Sequence, residues 1–341
     1  MPEPSKPYFY PERADVDSPG YRRSFLRFIA QRAALGIATL WVVSLVTFIT
    51  TNLAGIDLAE AALGVRVTPE QLTIFRKQQG ADQTPVKRYW VWLKNVSTGD
   101  WGLSLVGRGQ RVSDLVKPRI GRTFVLALFA LTLALPLALF FGILGARNAN
   151  GLADTILSAI ILVVSTLPEF VVALAVLYLL GVWVGILPPN SNAVSYGTAK
   201  EQVEAYVLPA LSLALVLVPY SSRMIRASAR EVLASPYIRS ALLRGVSESR
   251  LLARHVIPNI LGPIANVVAL SLAEILVGDV VIENVFGFPG LGQLAVSAVN
   301  TQDLAVVQAT VIISASSFIL LNVAADAAVV LLNPRLRRLG V

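Results

Sequence analysis

The sequence predicts an all-α fold, a polytopic membrane bundle of six transmembrane helices, and two observations carry that prediction. Hydrophobic residues make up 55% of the chain and charged residues 15%, and the mean hydropathy is +0.65, well above that of soluble domains. A membrane-spanning helix needs about 20 mostly apolar residues, and six segments meet that requirement. They lie at about 29–53, 121–146, 155–183, 206–225, 260–282 and 305–332.

Basic residues are concentrated in three places, and their distribution predicts the side of the membrane on which each loop lies. The chain has 29 Lys and Arg residues against 21 Asp and Glu, a formal net charge of +8. Arginines cluster before the first span, between the fourth and fifth spans and at the C-terminus, whereas residues 284–304 contain no Lys or Arg. Short cytoplasmic loops collect Lys and Arg, so both termini are predicted to be cytoplasmic. Topology accounts for the basic charge, and nucleic-acid binding is not expected.

Outside the spans, the sequence predicts a tail and a long external segment. Residues 1–25 are rich in proline and charge and are predicted to be a cytoplasmic tail without a fold of its own. The first apolar segment is too long for the core of a cleavable signal and is interpreted as a retained span. Residues 54–120 are predicted to be extracytoplasmic, with a helical pattern at 68–80. Aromatic residues occur there at Tyr89, Trp90, Trp92 and Trp101. An anchor at the outer membrane interface is the preferred interpretation, and a recognition surface is the alternative.

Cysteine is absent from the chain, so disulfides and thiolate metal sites are impossible, which suits a bacterial inner membrane. The sequence also lacks a phosphate-binding loop of the G-x-x-x-x-G-K-[ST] type, so the chain is not expected to hydrolyse ATP by itself. The glycine-rich GFPGLGQL, from Gly287, fits no dinucleotide-binding pattern and is predicted to form a tight turn. The single histidine, His255, has no nucleophile or second metal ligand beside it in the sequence. An enzyme is therefore not predicted.

A polar segment rich in arginine, SPYIRSALLRGVSESRLLARHVIPN at residues 235–259, separates the fourth and fifth spans. Ser235 is placed to cap a helix that has Pro236 near its first position. Apolar residues with helical spacing follow at Tyr237, Ile238, Ala241 and Leu242. This pattern predicts one short amphipathic helix.

Gly245 suits the residue after that helix, where a left-handed conformation is cheapest for glycine. Ser247 is then placed to cap a second helix that runs to Pro258 and into the fifth span. The predicted result is a helix, a glycine turn and a helix at the cytoplasmic face. The residues alone leave two interpretations open, a docking element for a partner protein and a plain interfacial loop.

Acidic residues inside the spans are candidates for a functional site, because ionisable groups are costly there. Glu169, Glu274 and Asp279 lie in predicted spans, and Glu283 follows the fifth span. Asp326 lies near the cytoplasmic end of the sixth span, where a structural hydrogen bond or snorkelling is the preferred interpretation.

Several motifs, in the right order, resemble those of the permease subunits of ABC importers, in the dipeptide and oligopeptide branch. The spacing from Ala241 to Gly245 and on to Pro258 resembles the family's "EAA" loop, although Arg239 and Ser240 replace its first two letters. The other similar motifs are SSRMIRAS, RHVIPN, VVIENVFGFPGLGQL, NPRLR and YWVWLKNVSTGDWGLSL. The resemblance covers about residues 26–338, which are predicted to form the permease domain, followed by a tail at 339–341.

The resemblance implies a type I importer permease fold and a set of partners. These are a second, homologous permease, two ABC ATPase subunits and an extracytoplasmic solute-binding protein, all assembled among membrane lipids. No cofactor is expected on this chain, and ATP and magnesium are expected on the ATPase subunits. Residues 229–259 would form the ATPase-coupling loop. The coupling residues implied are Tyr237, Ile238, Ala241, Leu242, Arg244, Gly245 and Pro258.

The implied function is import of di- or oligopeptides, or of a related solute such as nickel, glutathione, an opine or a saccharide conjugate. The intramembrane acids Glu169, Glu274 and Asp279 depart from the family pattern. With Glu283, they are candidates for lining the translocation path and making it negative. Pairing with basic residues of the partner permease and placement at the outer interface remain alternatives. A secondary transporter or a channel without ATPase partners is the alternative function.

Overall fold

The computed structural model describes residues 19–53, 83–104, 109–149, 151–276 and 280–332. The regular structure in these ranges is helical, apart from an isolated antiparallel bridge between Leu103 and Arg111. The predicted helix at 68–80, the residue Asp279 and the motif NPRLR lie outside the described residues. The described helices of the first part of the chain are α1 (Pro19–Leu53), α2 (Pro85–Ser97), α3 (Val112–Arg147), α4 (Leu152–Thr166), α5 (Glu169–Val176, extended by a π-helix at Leu177–Trp183), α6 (Ala193–Tyr196, a single turn) and α7 (Ala199–Leu233).

The second half of the chain contains shorter helices and one long final helix. They are α8 (Pro236–Leu243), α9 (Glu248–Leu251, continued by a π-helix at Leu252–Val256), α10 (Ile257–Asn259), α11 (Leu261–Leu276), α12 (Val280–Val285), α13 (Leu291–Asn300) and α14 (Leu304–Leu332). Helix α1 begins at Pro19, so the last part of the predicted tail is helical.

The described helices supply the six predicted spans in two forms. Helices α1, α3, α7 and α14 are each long and apolar enough to cross a membrane. Two bent pairs each qualify as one further span: α4 with α5, bent by 102°, and α9–α10 with α11, bent by 60°. Counting each pair once gives six spans, as predicted.

The predicted span at 155–183 is a broken helix and not a continuous one. Leu167 has an extended backbone conformation, with φ −73° and ψ 131°, and α5 starts at Glu169. The cause is Pro168, because a residue before proline is disfavoured in the helical conformation and proline itself has no N–H to donate. By contrast, Pro136 and Pro209 lie inside the continuous helices α3 and α7.

The centre of the bundle is the contact between α3 and α7, which is lined by small residues. Ala130 and Ala134 of α3 and Ala210 and Ala214 of α7 are buried in one apolar cluster. Small side chains let the backbones of membrane helices approach closely. Farther along α3, a Cβ atom added at Gly142 would lie 2.8 Å from Ile225 Cγ2, so this contact has no room for a larger residue.

Helix α14 returns along α1, and an ion pair joins their charged ends. Arg32 Nε lies 3.1 Å from Asp326 Oδ2, and both side chains are partly exposed. The pair explains an acidic residue in a span whose other residues are mostly apolar. The structural interpretation of Asp326 is therefore confirmed.

Candidate functional site

The segment between α7 and α11 folds as predicted into a short helix, a glycine turn and a second helical limb. Helix α8 ends at Leu243, and Gly245 has a φ of +78°. The Gly245 N–H donates to the Leu242 carbonyl at 2.9 Å, and the Val246 N–H donates to the Ala241 carbonyl at 3.2 Å. These two bonds form a Schellman motif, which requires a left-handed residue at the position of Gly245.

The predicted serine caps are wrong in their side-chain chemistry. Pro236 does stand in the first turn of α8, but the Ser235 hydroxyl donates back to the Val232 carbonyl at 2.5 Å. The Ser235 carbonyl instead accepts the N–H groups of Ile238 and Arg239. Ser247 likewise makes no side-chain cap bond. The connection from α7 to α8 is so short that the Ser235 hydroxyl completes the turn before the helix.

Helix α8 has a buried face and an exposed face. Ile238 is fully buried and Ala241 is 5% exposed, and both join an apolar cluster with Ile225 of α7, Val256 and Ile260. These two predicted coupling residues therefore hold α8 onto the bundle. The reason is their spacing of three residues, which puts them on one side of the helix together with the incoming Val246.

Three large apolar side chains of α8 remain exposed outside its buried face. We call them the α8 ridge: they are Tyr237, Leu242 and Leu243, which are 45%, 48% and 84% exposed. Arg244 is also exposed, and its Nε donates to the Ser240 carbonyl at 3.2 Å. Pro258 is exposed in α10, beside the bend into α11. Large apolar side chains next to charged ones are typical of a protein contact surface.

Two ion pairs connect this loop and its neighbours to the bundle. Arg147 at the end of α3 pairs with Glu248 of α9, and both side chains are exposed. Arg226 of α7 is more deeply placed and donates to Asp154 Oδ2 at 2.6 Å and to Ser158 Oγ at 2.9 Å. The second pair attaches α4, the first half of the broken span, to α7. Neither pair was predicted, because residues on separate helices give no spacing signal.

The structure brings two of the predicted path residues together. Glu169 starts α5 beside the break in its span, and Glu274 lies in α11. Both side chains are exposed, and their negative charges are close enough to repel each other. Neither has an ion-pair partner among the described residues. Two helices that are distant in sequence thus each expose an acidic side chain among their apolar residues.

Glu283 differs from the other candidates because it is fully buried. Its Oε1 accepts a hydrogen bond from the Thr123 hydroxyl at 2.7 Å, and its Oε2 accepts one from the Gln293 N–H at 2.9 Å. The Thr123 hydroxyl in turn accepts the Leu291 N–H at 2.9 Å. Glu283 therefore joins α3, α12 and the start of α13, and the structure does not place it on an exposed wall of a path.

The glycine-rich GFPGLGQL segment, which starts at Gly287, packs against the Glu283 carboxylate. The predicted tight turn is present, with Gly287 at a φ of +59°. A Cβ atom added at Gly290 would clash with Glu283 Oε1. Glycine is thus required at position 290, because the Glu283 carboxylate approaches the backbone there. The contact was not predicted, although a glutamate followed by clustered glycines is a pattern that could have indicated it.

The fold and the site together define a class: a multispan membrane protein with a rigid helix–turn–helix element that presents an apolar ridge outside the bundle. The chain belongs to the family of inner membrane components of binding-protein-dependent transport systems. The model of that family matches residues 117–338, and the model of its N-terminal region matches residues 25–127. The protein is thus a multipass inner membrane permease of an ATP-driven importer. This result sets aside the secondary transporter and the channel.

Two relatives by sequence agree with the family assignment over nearly the whole chain. The glutathione transport system permease protein GsiC of Escherichia coli is 29% identical over 92% of this chain and 99% of its own. A Brucella abortus protein named as a peptide transport system permease is 31% identical over 91% of this chain and 98% of its own. The MetNI methionine ABC transporter, in an inward facing conformation, gives a TM-score of 0.46 at 18% identity, over 63% of this chain and 93% of its own.

Proposed function

We propose that this chain forms a translocation path with a second, homologous permease and imports short peptides or a related small solute. Two ABC ATPase subunits, which carry ATP and magnesium, would bind on the cytoplasmic side. Both termini of this chain would lie on the same side. A solute-binding protein would deliver the solute from outside. The relatives named for glutathione and for peptides support this solute class, because both are peptides with free amino and carboxylate groups.

The observation that carries the proposal is the two-faced geometry of α8. Ile238 and Ala241 fix the helix to the apolar cluster shared by α3, α7 and α11, while the α8 ridge remains uncovered. A helix held in this way transmits force, since its inner face is close-packed and close-packed interiors transmit strain. Movement of an ATPase bound to the α8 ridge would therefore be passed to α3, α7 and α11.

Co-purification tests the proposed assembly. We expect the tagged chain, expressed together with its partner permease and ATPase subunits, to be recovered from mild detergent with two ATPase subunits. A Tyr237→Ala/Leu242→Ala double variant should lower ATPase recovery about tenfold or more, because truncating a few large interface side chains commonly removes several kcal/mol. Ser249→Ala, at an exposed position of α9, is the matched control. Unchanged ATPase recovery with the double variant would exclude the ridge as the docking surface.

The acidic pair supports a more specific proposal about the solute. Glu169 and Glu274 are exposed in the described bundle and repel each other, and no described basic side chain neutralises them. An uncompensated charge in a membrane costs several kcal/mol unless it is hydrated or paired. Water in a transport path supplies that hydration. The pair would therefore make the path negative and favour solutes with an amine or another cationic group.

Transport of charged solutes tests the role of the pair. In the reconstituted complex, Glu169→Gln and Glu274→Gln should each lower uptake of a cationic peptide relative to its anionic analogue by about threefold to tenfold, as expected for losing one partly screened charge interaction. Glu204→Gln is the control, at a half-buried position near the start of α7 where the carboxylate pairs with Lys200. If both path variants keep the parental cation-to-anion ratio, the negative path is wrong, while ATP-driven uptake of either peptide still supports an importer.

A further inference from the structure

Helix α2 lies outside the spans and is fixed by one face to the end of α1. The hydroxyls of Tyr89 and Ser44 are 2.8 Å apart and buried, and the rings of Phe48 and Tyr89 meet edge to face at 5.4 Å. Arg88 Nη2 donates to Asn52 Oδ1 at 2.7 Å. Ser44, Phe48 and Asn52 recur every four residues and mark one face over the last turns of α1. Helix α2 is therefore held at the level where the first span ends.

The uncovered surface of α2 has an apolar stripe beside a basic stripe. Val86 and Trp90 are 68% and 57% exposed, and a separation of four residues puts them about 40° apart around the helix. Lys87 and Lys94 are exposed, seven residues apart and so about 20° from each other. Their stripe lies next to that of Trp90. Helix α2 has no acidic residue.

We propose that α2 is an interfacial helix whose Val86–Trp90 stripe enters the membrane surface and whose two lysines bind anionic lipid headgroups. Amphipathic helices with aromatic and basic residues adopt this position, and tryptophan favours the headgroup level. The proposal goes beyond the transport function, since it concerns lipid and not solute.

Two further observations favour lipid over a protein partner on this stripe. Helix α1, to which α2 is fixed, also exposes large apolar side chains toward the same end. They are Trp41, Val42, Val46 and Ile49, which are between 44% and 53% exposed. The stripe of α2 is thus attached to a span whose end is itself suited to lipid. The lysines add charge complementarity, because juxtamembrane basic residues are attracted to anionic lipids.

The absence of cysteine from the chain permits labelling at single positions, with cysteine-free versions of the partner subunits. We would attach a nitroxide to Val86→Cys, Trp90→Cys and Val91→Cys in the full transport complex, in vesicles of three parts phosphatidylethanolamine to one part phosphatidylglycerol. Val91 is the matched control, because it is 48% exposed but about 100° around the helix from Trp90. Labels at 86 and 90 should collide more with oxygen, which concentrates in lipid, than with a water-soluble nickel complex. The label at 91 should show the reverse.

A second measurement tests the lysines. A fluorophore at Trp90→Cys should be quenched more by phosphatidylglycerol than by phosphatidylcholine, each carrying the same headgroup nitroxide. The double variant Lys87→Gln/Lys94→Gln should lower the ratio of quenching by phosphatidylglycerol to quenching by phosphatidylcholine several-fold. The largest reduction expected is about fivefold per lysine, because one basic residue near an anionic membrane surface contributes about 1 kcal/mol. Greater access of nickel than oxygen at 86 and 90 would overturn the proposal. Protection of both labels from oxygen and from nickel would also overturn it, in favour of a protein partner. If the lysine double variant keeps the preference for phosphatidylglycerol, the proposed contact between the lysines and lipid headgroups is wrong.

Discussion

Replacing Gly245 with valine is expected to uncouple the transporter while leaving the chain inserted and the bundle intact. Gly245 has a φ of +78°, and no atom lies within 4 Å of a Cβ atom added there. The cost therefore comes from backbone conformation and not from a clash within the chain. The left-handed conformation costs other residues about 1–2 kcal/mol, and a β-branched side chain is the least suited to it.

That strain opposes the Schellman motif that sets the angle between α8 and the second limb. A penalty of one or two kcal/mol lowers the ratio of native to non-native turn about fivefold to thirtyfold. Solute-stimulated ATP hydrolysis by the reconstituted complex should fall, by up to that factor where the native turn is only marginally favoured. Gly245→Asn is the matched control, because asparagine tolerates the left-handed conformation and should keep most of the activity. Full coupling with valine would show that the turn geometry is not required. Equal loss with both variants would point to close contact with a partner at this position.

Thr123→Val is expected to destabilise the contact between α3, α12 and α13 strongly, although the two side chains have nearly the same shape. The Thr123 hydroxyl both donates to Glu283 and accepts from the Leu291 N–H. Valine would leave a buried carboxylate oxygen and a buried N–H without these partners. Each unsatisfied buried group costs about 1–3 kcal/mol, so the expected loss in free energy of unfolding for the two groups is about 2–6 kcal/mol.

Thermal unfolding of the purified complex measures this effect, and Thr123→Ser is the control because it keeps the hydroxyl. We expect serine to lower stability by much less than valine. Glu283→Ala should be at least as damaging as Thr123→Val, since it removes the acceptor of both the Thr123 hydroxyl and the Gln293 N–H. If valine and serine are equally stable, the hydrogen-bond chain does not hold these helices together. Unlike the Gly245 variants, these should lose transport and stability in parallel.

The sequence by itself determined the features that depend on local pattern. Hydropathy over some twenty residues fixes where helices cross a membrane, and the six predicted spans appear in the fold. The spacing of apolar residues, a proline at the helix start and a glycine at its end likewise fixed α8 and its turn. These are local properties, since the backbone of a few consecutive residues decides them.

Only the tertiary structure decided which side of a helix meets the bundle and which charges meet each other. The same spacing that predicted α8 could not show that Ile238 and Ala241 face inward while Leu242 stays exposed, because that choice depends on the packing surface offered by α3, α7 and α11. Glu169, Glu274 and Glu283 look alike in sequence as acids among apolar residues. Folding leaves the first two exposed and surrounds Glu283 with donors from α3 and α13, helices that the sequence places far from one another.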